Sequence, residues 1–270
     1  MADPNVQVAI IGPNAKERII AGGGSAALRA TYVVSPYEGI VNALGSSVDT
    51  VYAEGARSFR NMPSLDYDLT TESGERGWTV SWYSHTEEDP MKPLPDPVRT
   101  VTCTETYALL ADAKTPGLTE RWTIKMRGFL VPRDRDTEFE FGLTVAGRAK
   151  LYVDGQLVVD NWTRQRRGTS FFNRGTEEER GKILLKKGVR HEVLVHFVNV
   201  RGPADGDEDE TVMGDGSAVR LGGAEVVNPE DEIVRAEQAA KESDVAIVVI
   251  GLNSDWEVRV TLVPSPVRND

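Results

Sequence analysis

Two nearly continuous apolar runs stand at opposite ends of this chain and limit what it can fold into. Val6-Gln7-Val8-Ala9-Ile10-Ile11 lies near its start, and Val245-Ala246-Ile247-Val248-Val249-Ile250 near its end. Such runs suit strands buried on both faces, as in a parallel sheet covered by helices. After the first run, Ser35 as cap, Pro36 at the first helical position and Glu38 three residues on predict a helix start. Ile40, Val41 and Leu44 would face its core side, and Val48–Tyr52 reads as a second strand. Strand, helix and strand in that order form a parallel crossover unit. The later run follows a predicted helix opened by Asn228, with Ile233, Ala236, Ala239 and Ala240 as its apolar stripe. The two ends of the chain are therefore expected to share one parallel sheet.

The middle has a different texture, with no helical periodicity and many short alternating stretches between turn residues. Trp78, Val80 and Trp82 share one face of a strand. Arg121–Val131 alternates as far as Phe129, where a change of phase predicts a bulge. Glu138–Val145 alternates cleanly, and Asp154-Gly155 joins Lys150–Val153 to Gln156–Val159 with the chemistry of a type I′ hairpin. Ile183–Leu185, His191–Val200 and Val219–Val227 supply further strands. The expected fold is an incomplete α/β parallel-sheet domain, an α/β sandwich, interrupted by an inserted all-β antiparallel sandwich or barrel. Residues 1–65 would form the first part, 66–226 the insert, 227–257 the return and 258–270 an atypical tail.

Charge and composition remove several classes of function. The net charge is −11, from 31 basic and 42 acidic residues, which disfavours a nucleic-acid partner and an anionic membrane surface. No apolar run approaches the ~18 residues of a membrane span, and the start carries no basic n-region followed by a long apolar stretch. The one cysteine, Cys103, reads as filler, and it excludes both an internal disulfide and a thiolate zinc site. Asp205-Gly206-Asp207-Glu208-Asp209-Glu210 spaces acids like a calcium loop, but Glu210 stands where glycine is needed and Gly216 where the bidentate glutamate belongs. It reads as a solvated loop. His191 and His196 would point to opposite faces of one strand and make poor joint ligands. No metal or cofactor is expected. Gly22-Gly23-Gly24-Ser25 lacks the lysine and hydroxyl of a phosphate loop and reads as structural. Trp78 and Trp82 fill the core, Asp154 serves its turn, and Asn161-Trp162-Thr163 is a glycosylation sequon that chance alone explains.

Several separated motifs together resemble glycoside hydrolase family 3 β-glucosidases. Val8-Ala9-Ile10-Ile11-Gly12-Pro13-Asn14-Ala15, Gly22-Gly23-Gly24-Ser25-Ala26 and Ser35-Pro36-Tyr37-Glu38-Gly39-Ile40 look like the α/β-sandwich domain of that family. Leu151-Tyr152-Val153-Asp154-Gly155, Val159-Asp160-Asn161-Trp162 and Gly168-Thr169-Ser170-Phe171-Phe172 look like the protective-antigen-type β domain inserted there in one branch. Asp244-Val245 through Asn253, then Asp255-Trp256-Glu257, is similar to the return. The resemblance implies a retaining glucosidase acting on terminal β-glucosyl residues, with β-glucosides or gluco-oligosaccharides as partners, and a secreted enzyme, with the cytoplasm as the alternative compartment. A stand-alone carbohydrate-binding module is the alternative.

The resemblance also implies where catalysis is missing. The nucleophile of the family lies in an N-terminal barrel absent from this chain, and Ser254-Asp255-Trp256 imitates its motif in the wrong context. The general acid would fall at Arg259, and an arginine cannot shuttle a proton. Likeness stops at Glu257, and the tail 258–270 is expected to derive from unspliced or frame-shifted sequence. The chain alone should therefore be inactive, with Phe171, Phe172, Trp256 and Glu257 as its substrate-contacting candidates. Adjacent strand residues face opposite ways, so one of Phe171 and Phe172 would pack inward while the other walls the subsite of the leaving sugar; both in the core is the competing arrangement.

Overall fold

The computed structural model describes residues 6–20, 30–57, 59–86, 92–110, 115–200 and 217–253, with the side chains of Phe172 and Asn173 outside that set. The chain divides into two compact units, residues 1–60 with 227–270, and residues 61–226.

The first unit starts with β1 (Gln7–Ile11), whose last four residues are buried. Helix α1 (Pro36–Leu44) begins as its sequence requires. Ser35 Oγ accepts from the Glu38 N–H at 3.2 Å, and Glu38 Oε2 accepts from the Ser35 N–H at 2.8 Å. Tyr37, Ile40, Val41 and Leu44 lie half-buried against Val8, Ile10 and Val48. Strand β2 (Asp49–Ala53) pairs with β1 in parallel, Gln7 opposite Asp49 and Ile11 opposite Ala53.

The second unit is antiparallel throughout its ladders. Its strands in chain order are β3 (Leu69–Thr70), β4 (Trp78–Ser84), β5 (Arg99–Cys103), β6 (Tyr107–Leu109), β7 (Trp122–Leu130), β8 (Thr137–Ala146), β9 (Arg148–Val153) and β10 (Gln156–Asn161). A single helical turn, α2 (Ser170–Asn173), precedes β11 (Glu179–Leu185), β12 (Glu192–Val198) and β13 (Ala218–Glu225). One sheet runs β10-β9-β12-β7-β4-β5 with β3 on β7, and the other β11-β8-β13-β6. Their inner faces enclose one core that includes Trp78, Trp82, Trp122, Ile124, Met126, Phe139, Phe141, Leu143, Leu151, Val195 and Phe197, the layering of a β-sandwich. Asp154 and Gly155 both have positive φ, 49° and 78°, as the type I′ turn between β9 and β10 demands.

One local expectation fails here. No bulge interrupts β7, which pairs with β12 in unbroken register from Thr123 to Phe129. The inward position between Met126 and Leu130 belongs to Gly128, where a Cβ would sit 2.9 Å from Trp78 Cβ. Phe129 therefore faces outward, with the Arg190 and Arg127 guanidiniums 4.3 and 5.2 Å from its ring centre.

The chain then re-enters the first unit through α3 (Pro229–Glu242) and β14 (Val245–Val248). The Glu230 N–H donates to Asn228 Oδ1 at 3.1 Å. Strand β14 pairs in parallel with the far edge of β1, Val8 opposite Val245 and Ile11 opposite Val248, so both apolar runs lie in one sheet of order β14-β1-β2. Two details differ from expectation. The buried stripe of α3 is Glu232, Ala236 and Ala239, while Ile233 is 52% exposed; Glu232 tolerates its place by pairing with Arg235 at 2.6 Å. Nor is β14 buried on both faces, with Val245 and Val248 exposed. It is the sheet's edge among the described residues.

Candidate functional site

In α/β sheets, ligands gather beyond the carboxyl ends of the strands. Here that edge is built tightly. Gly12 has φ 117°, and a Cβ on it would lie 2.0 Å from the Val249 carbonyl oxygen, so only glycine lets the chain after β14 approach. The Val249 N–H donates to the Ile11 carbonyl at 2.7 Å, and the Gly12 N–H to the Ala53 carbonyl at 3.1 Å. The turn Pro13–Ala15 that follows delivers Lys16 to two aromatic rings. Its Nζ lies 3.9 Å from the Tyr52 ring centre and 4.8 Å from that of Tyr37, and the two rings meet edge-on at 5.7 Å.

Burial and, secondarily, the Glu54 carboxylate push the Tyr52 hydroxyl up to about 12. It stays protonated and donates to the Gly12 carbonyl at 3.4 Å. The Ser35 N–H, then Arg18 at 2.5 Å, holds the Glu38 carboxyl below the usual carboxylate range. Glu54 pairs with Arg57 at 2.8 Å. Tyr52 is thus a neutral donor, Glu38 a fixed anion, and neither is poised as a general acid or base. Sequence reasoning missed Lys16, Tyr37 and Tyr52 as a group, because only the parallel pairing of β1 with β2 brings them together. Trp256, Glu257, Asp255 and Arg259 lie outside the described residues, as do residues 22–25 and 205–210.

The other candidates lie on the loop between β10 and β11. Its stem is a short ladder, with the Glu177 N–H donating to the Arg166 carbonyl at 2.8 Å and the Gly168 N–H to the Gly175 carbonyl at 2.9 Å. The tip is the helical turn α2, not the extended pair that opposite-facing neighbours require. Phe171 has φ 51° and is 6% exposed, packed with Ala146 and Ala218. A left-handed conformation at a bulky residue costs about 1–2 kcal/mol, which its buried ring offsets. Tyr107, on edge strand β6, stacks against Phe171 with ring centres 5.6 Å apart. Phe171 is thus an anchor, and the side chain of Phe172 lies outside the described residues.

The remaining motifs are structural where they are described. Asn161 is fully buried; its Nδ2 donates to the Leu143 carbonyl at 2.9 Å and to Thr176 Oγ1 at 2.7 Å, so the sequon offers no free amide. His191 Nε2 accepts from the Lys186 N–H at 2.8 Å, which leaves Nδ1 to donate to Asp154 Oδ2 at 2.6 Å. Asp154 Oδ1 also accepts from the Glu192 N–H at 2.8 Å, so this residue pins the hairpin as well as turning it. Trp78 and Trp82 are in the core. Cys103 packs beside that core, and burial raises its thiol. Among the described residues no cluster of His, Cys, Asp and Glu could hold a metal, and no helix is long and apolar enough to cross a membrane.

A model of the PA14 domain matches residues 77–209. A protein of Emericella nidulans described as probable β-glucosidase J is 38% identical over 259 residues, covering 94% of this chain and 29% of that protein. Probable β-glucosidase I of Aspergillus clavatus is 36% identical over 251 residues, covering 93% and 29%. A crystal structure of a β-glucosidase from Kluyveromyces marxianus in complex with glucose superposes with TM-score 0.77 at 28% identity, over 95% of this chain and 29% of that one. The chain spans under a third of the length of the curated relatives it matches.

Proposed function

This chain belongs to the glycoside hydrolase family 3 β-glucosidases that carry a PA14 domain, and from that premise we propose that it is a segment of a retaining enzyme acting on terminal, non-reducing β-D-glucosyl residues. The observation that carries this reading is continuity: one alignment at 38% identity runs through 94% of the chain, so the likeness is not confined to the PA14 stretch. In this reading β14-β1-β2 is part of an α/β-sandwich domain supplied by residues 1–60 and 227–257, residues 61–226 are the insert, since Leu65 already lies in the sandwich core, and 258–270 is a tail outside the pattern. The partners are β-glucosides or gluco-oligosaccharides.

Retention needs two carboxyl groups, one to attack the anomeric carbon and one to protonate the departing oxygen and then activate water. This chain supplies neither in our reading, since Arg259 stands at the acid/base position. Its contribution is to shape the pocket. Trp256 and Glu257 contact the substrate, the anchored Phe171 fixes its loop, and Phe172 walls the subsite of the leaving sugar.

Incubation of the 270-residue chain with an aryl β-glucoside should give no turnover, and turnover above background overturns the proposed division of labour. In a complete enzyme containing this stretch, Phe172→Ala should change the preference between disaccharides and longer chains. An unaltered preference removes Phe172 from the pocket.

A further inference from the structure

The outer face of the larger sheet carries a feature the glucosidase reading does not use. Burial alternates strictly along β4, so Thr79, Ser81 and Tyr83 point outward while Trp78, Val80 and Trp82 fill the core. The first two are short. On β5, Thr102 stands opposite Thr79 and Thr100 opposite Ser81, again with short side chains, and the Ser81 and Thr100 hydroxyls are 2.9 Å apart. On the other flank β7 sets Arg127 beside Thr79 and Lys125 beside Ser81. Short residues beside long ones carve a trough where the outer face of a sheet is ordinarily level. Its volume is about 360 Å3, and it is lined by Thr79, Ser81, Tyr83, Lys125, Arg127 and Phe129 together with Glu72, Glu192 and Leu194. That lies within the range of ligand clefts, about 300–1,000 Å3. From Thr79 to Tyr83 the strand runs about 14 Å.

The chemistry of the lining selects an uncharged ligand rich in hydroxyls. Lys125 and Arg127 are balanced by Glu72 and Glu192, and Arg127 bridges both acids, at 3.2 Å to Glu72 and 2.5 Å to Glu192. The residues that line the trough thus carry no net charge, with Arg190 a further cation beside Phe129, so the pull on an anion is weak. The lining does present fixed donors and acceptors side by side, over a floor of hydroxyls. Tyr83 closes one end, its ring held by Lys125 Nζ at 5.0 Å from the centre. Phe129 closes the other, with the Arg190 and Arg127 guanidiniums 4.3 and 5.2 Å from its ring centre.

We propose that this trough is a surface saccharide-binding site, separate from any catalytic pocket, that takes a short β-gluco-oligosaccharide lying along β4. Only the choice of a gluco-oligosaccharide rests on the glucosidase reading; the site itself stands on the lining.

The test is calorimetric titration of the 270-residue chain with cellotetraose. The wild type should bind saturably and keep its affinity between about 0.05 and 1 M NaCl, because a neutral ligand releases no counterions. Ser81→Leu fills the floor from an outward position, and Tyr83→Ala opens one end; each should weaken binding by about tenfold or more. Tyr83→Phe should stay within about threefold of wild type, as should Tyr67→Ala, which removes an exposed tyrosine elsewhere. Circular dichroism and thermal midpoints check that each variant is folded. Absence of saturable binding, or Ser81→Leu and Tyr83→Ala binding like the wild type, overturns the proposal, as does salt-sensitive preference for an anionic polysaccharide. None of these results touches the glucosidase reading, which turnover and Phe172→Ala decide.

Discussion

The β unit and the α/β unit solve the problem of burial in opposite ways. Between its two sheets the β unit buries large side chains almost completely, with Trp78, Phe139, Phe141, Phe197, Ile124 and Met126 all at 1% exposure or less. On the helix α3 side the α/β unit closes over Ala9, Ile11, Ala53, Ala236 and Ala239, while Ile233, Val234, Val245, Val248 and Ile250 stay open to solvent. Apolar burial contributes about 25 cal/mol per Å2, so the first arrangement gains far more per residue than the second. The contrast shows that apolar sequence does not specify a core by itself. The run at 245–250 is fully apolar and the run at 6–11 nearly so, yet β1 is buried between α1 on one face and α3 on the other, whereas β14 is the edge of the sheet among the described residues.

The comparison can be broken most directly at the middle of the sandwich. Phe141 is fully buried, and Phe141→Ala should destabilise the β unit by about 3–5 kcal/mol, read as a lower urea midpoint. A loss below about 1 kcal/mol would mean that the two sheets do not close on each other as described.

The next effect concerns acid. His196 sits on the outer face of β12, its ring edge-on to Trp162 at 5.7 Å. Burial first, then the charges of Lys125, His85 and Lys150, lower it to about 4 from 6.5. The unfolded chain therefore takes up a proton before the folded one does. Stability should be full above pH 6.5, fall as pH drops toward 4 and level off below, a change of roughly 3 kcal/mol. Denaturation midpoints across that window check the sign, and His196→Gln should flatten the slope. A wild-type profile that is already flat would place His196 in solvent.

The smallest thermodynamic effect should come from the α/β unit. Val248→Lys, at 60% exposure on the outer strand, should alter stability by no more than about 0.5 kcal/mol while reducing self-association measured by light scattering, because charge on an open strand edge discourages pairing between molecules. A large loss of stability would show that β14 is covered.

Much of the fold could be read from residues whose signals are local. Ser35 and Glu38 announce a helix start through their own reciprocal hydrogen bonds, Asp154-Gly155 announces its turn through positive φ, and the alternation at Trp78, Val80 and Trp82 marks the inner face. What escaped reading depends on distant partners. Gly128 looks like a break in alternation until Trp78 is seen packed against it. Glu232 looks solvent-facing and Ile233 buried until Arg235 and the sheet fix the helix's rotation. Phe171-Phe172 has strand-like composition, but the seat formed by Ala146 and Ala218, far away in sequence, pulls one ring in and curls the backbone. The aromatic pair around Lys16 and the trough over Ser81 are products of strand pairing, and no spacing along the chain encodes them.

One small feature of the β unit has a consequence for the chain on either side of it. Ser64 bridges to Gly222, and the Gly223 N–H donates to the Pro63 carbonyl at 2.9 Å, so the unit starts and finishes side by side. The entropy lost in closing a loop grows with its effective length. Once this body has folded, the flanking segments start about 5 Å apart, the spacing of paired strands, instead of being joined by some 160 flexible residues. Folding of the sandwich first would therefore act as a staple for its host, bringing the two distant halves of a parallel sheet within easy reach of each other.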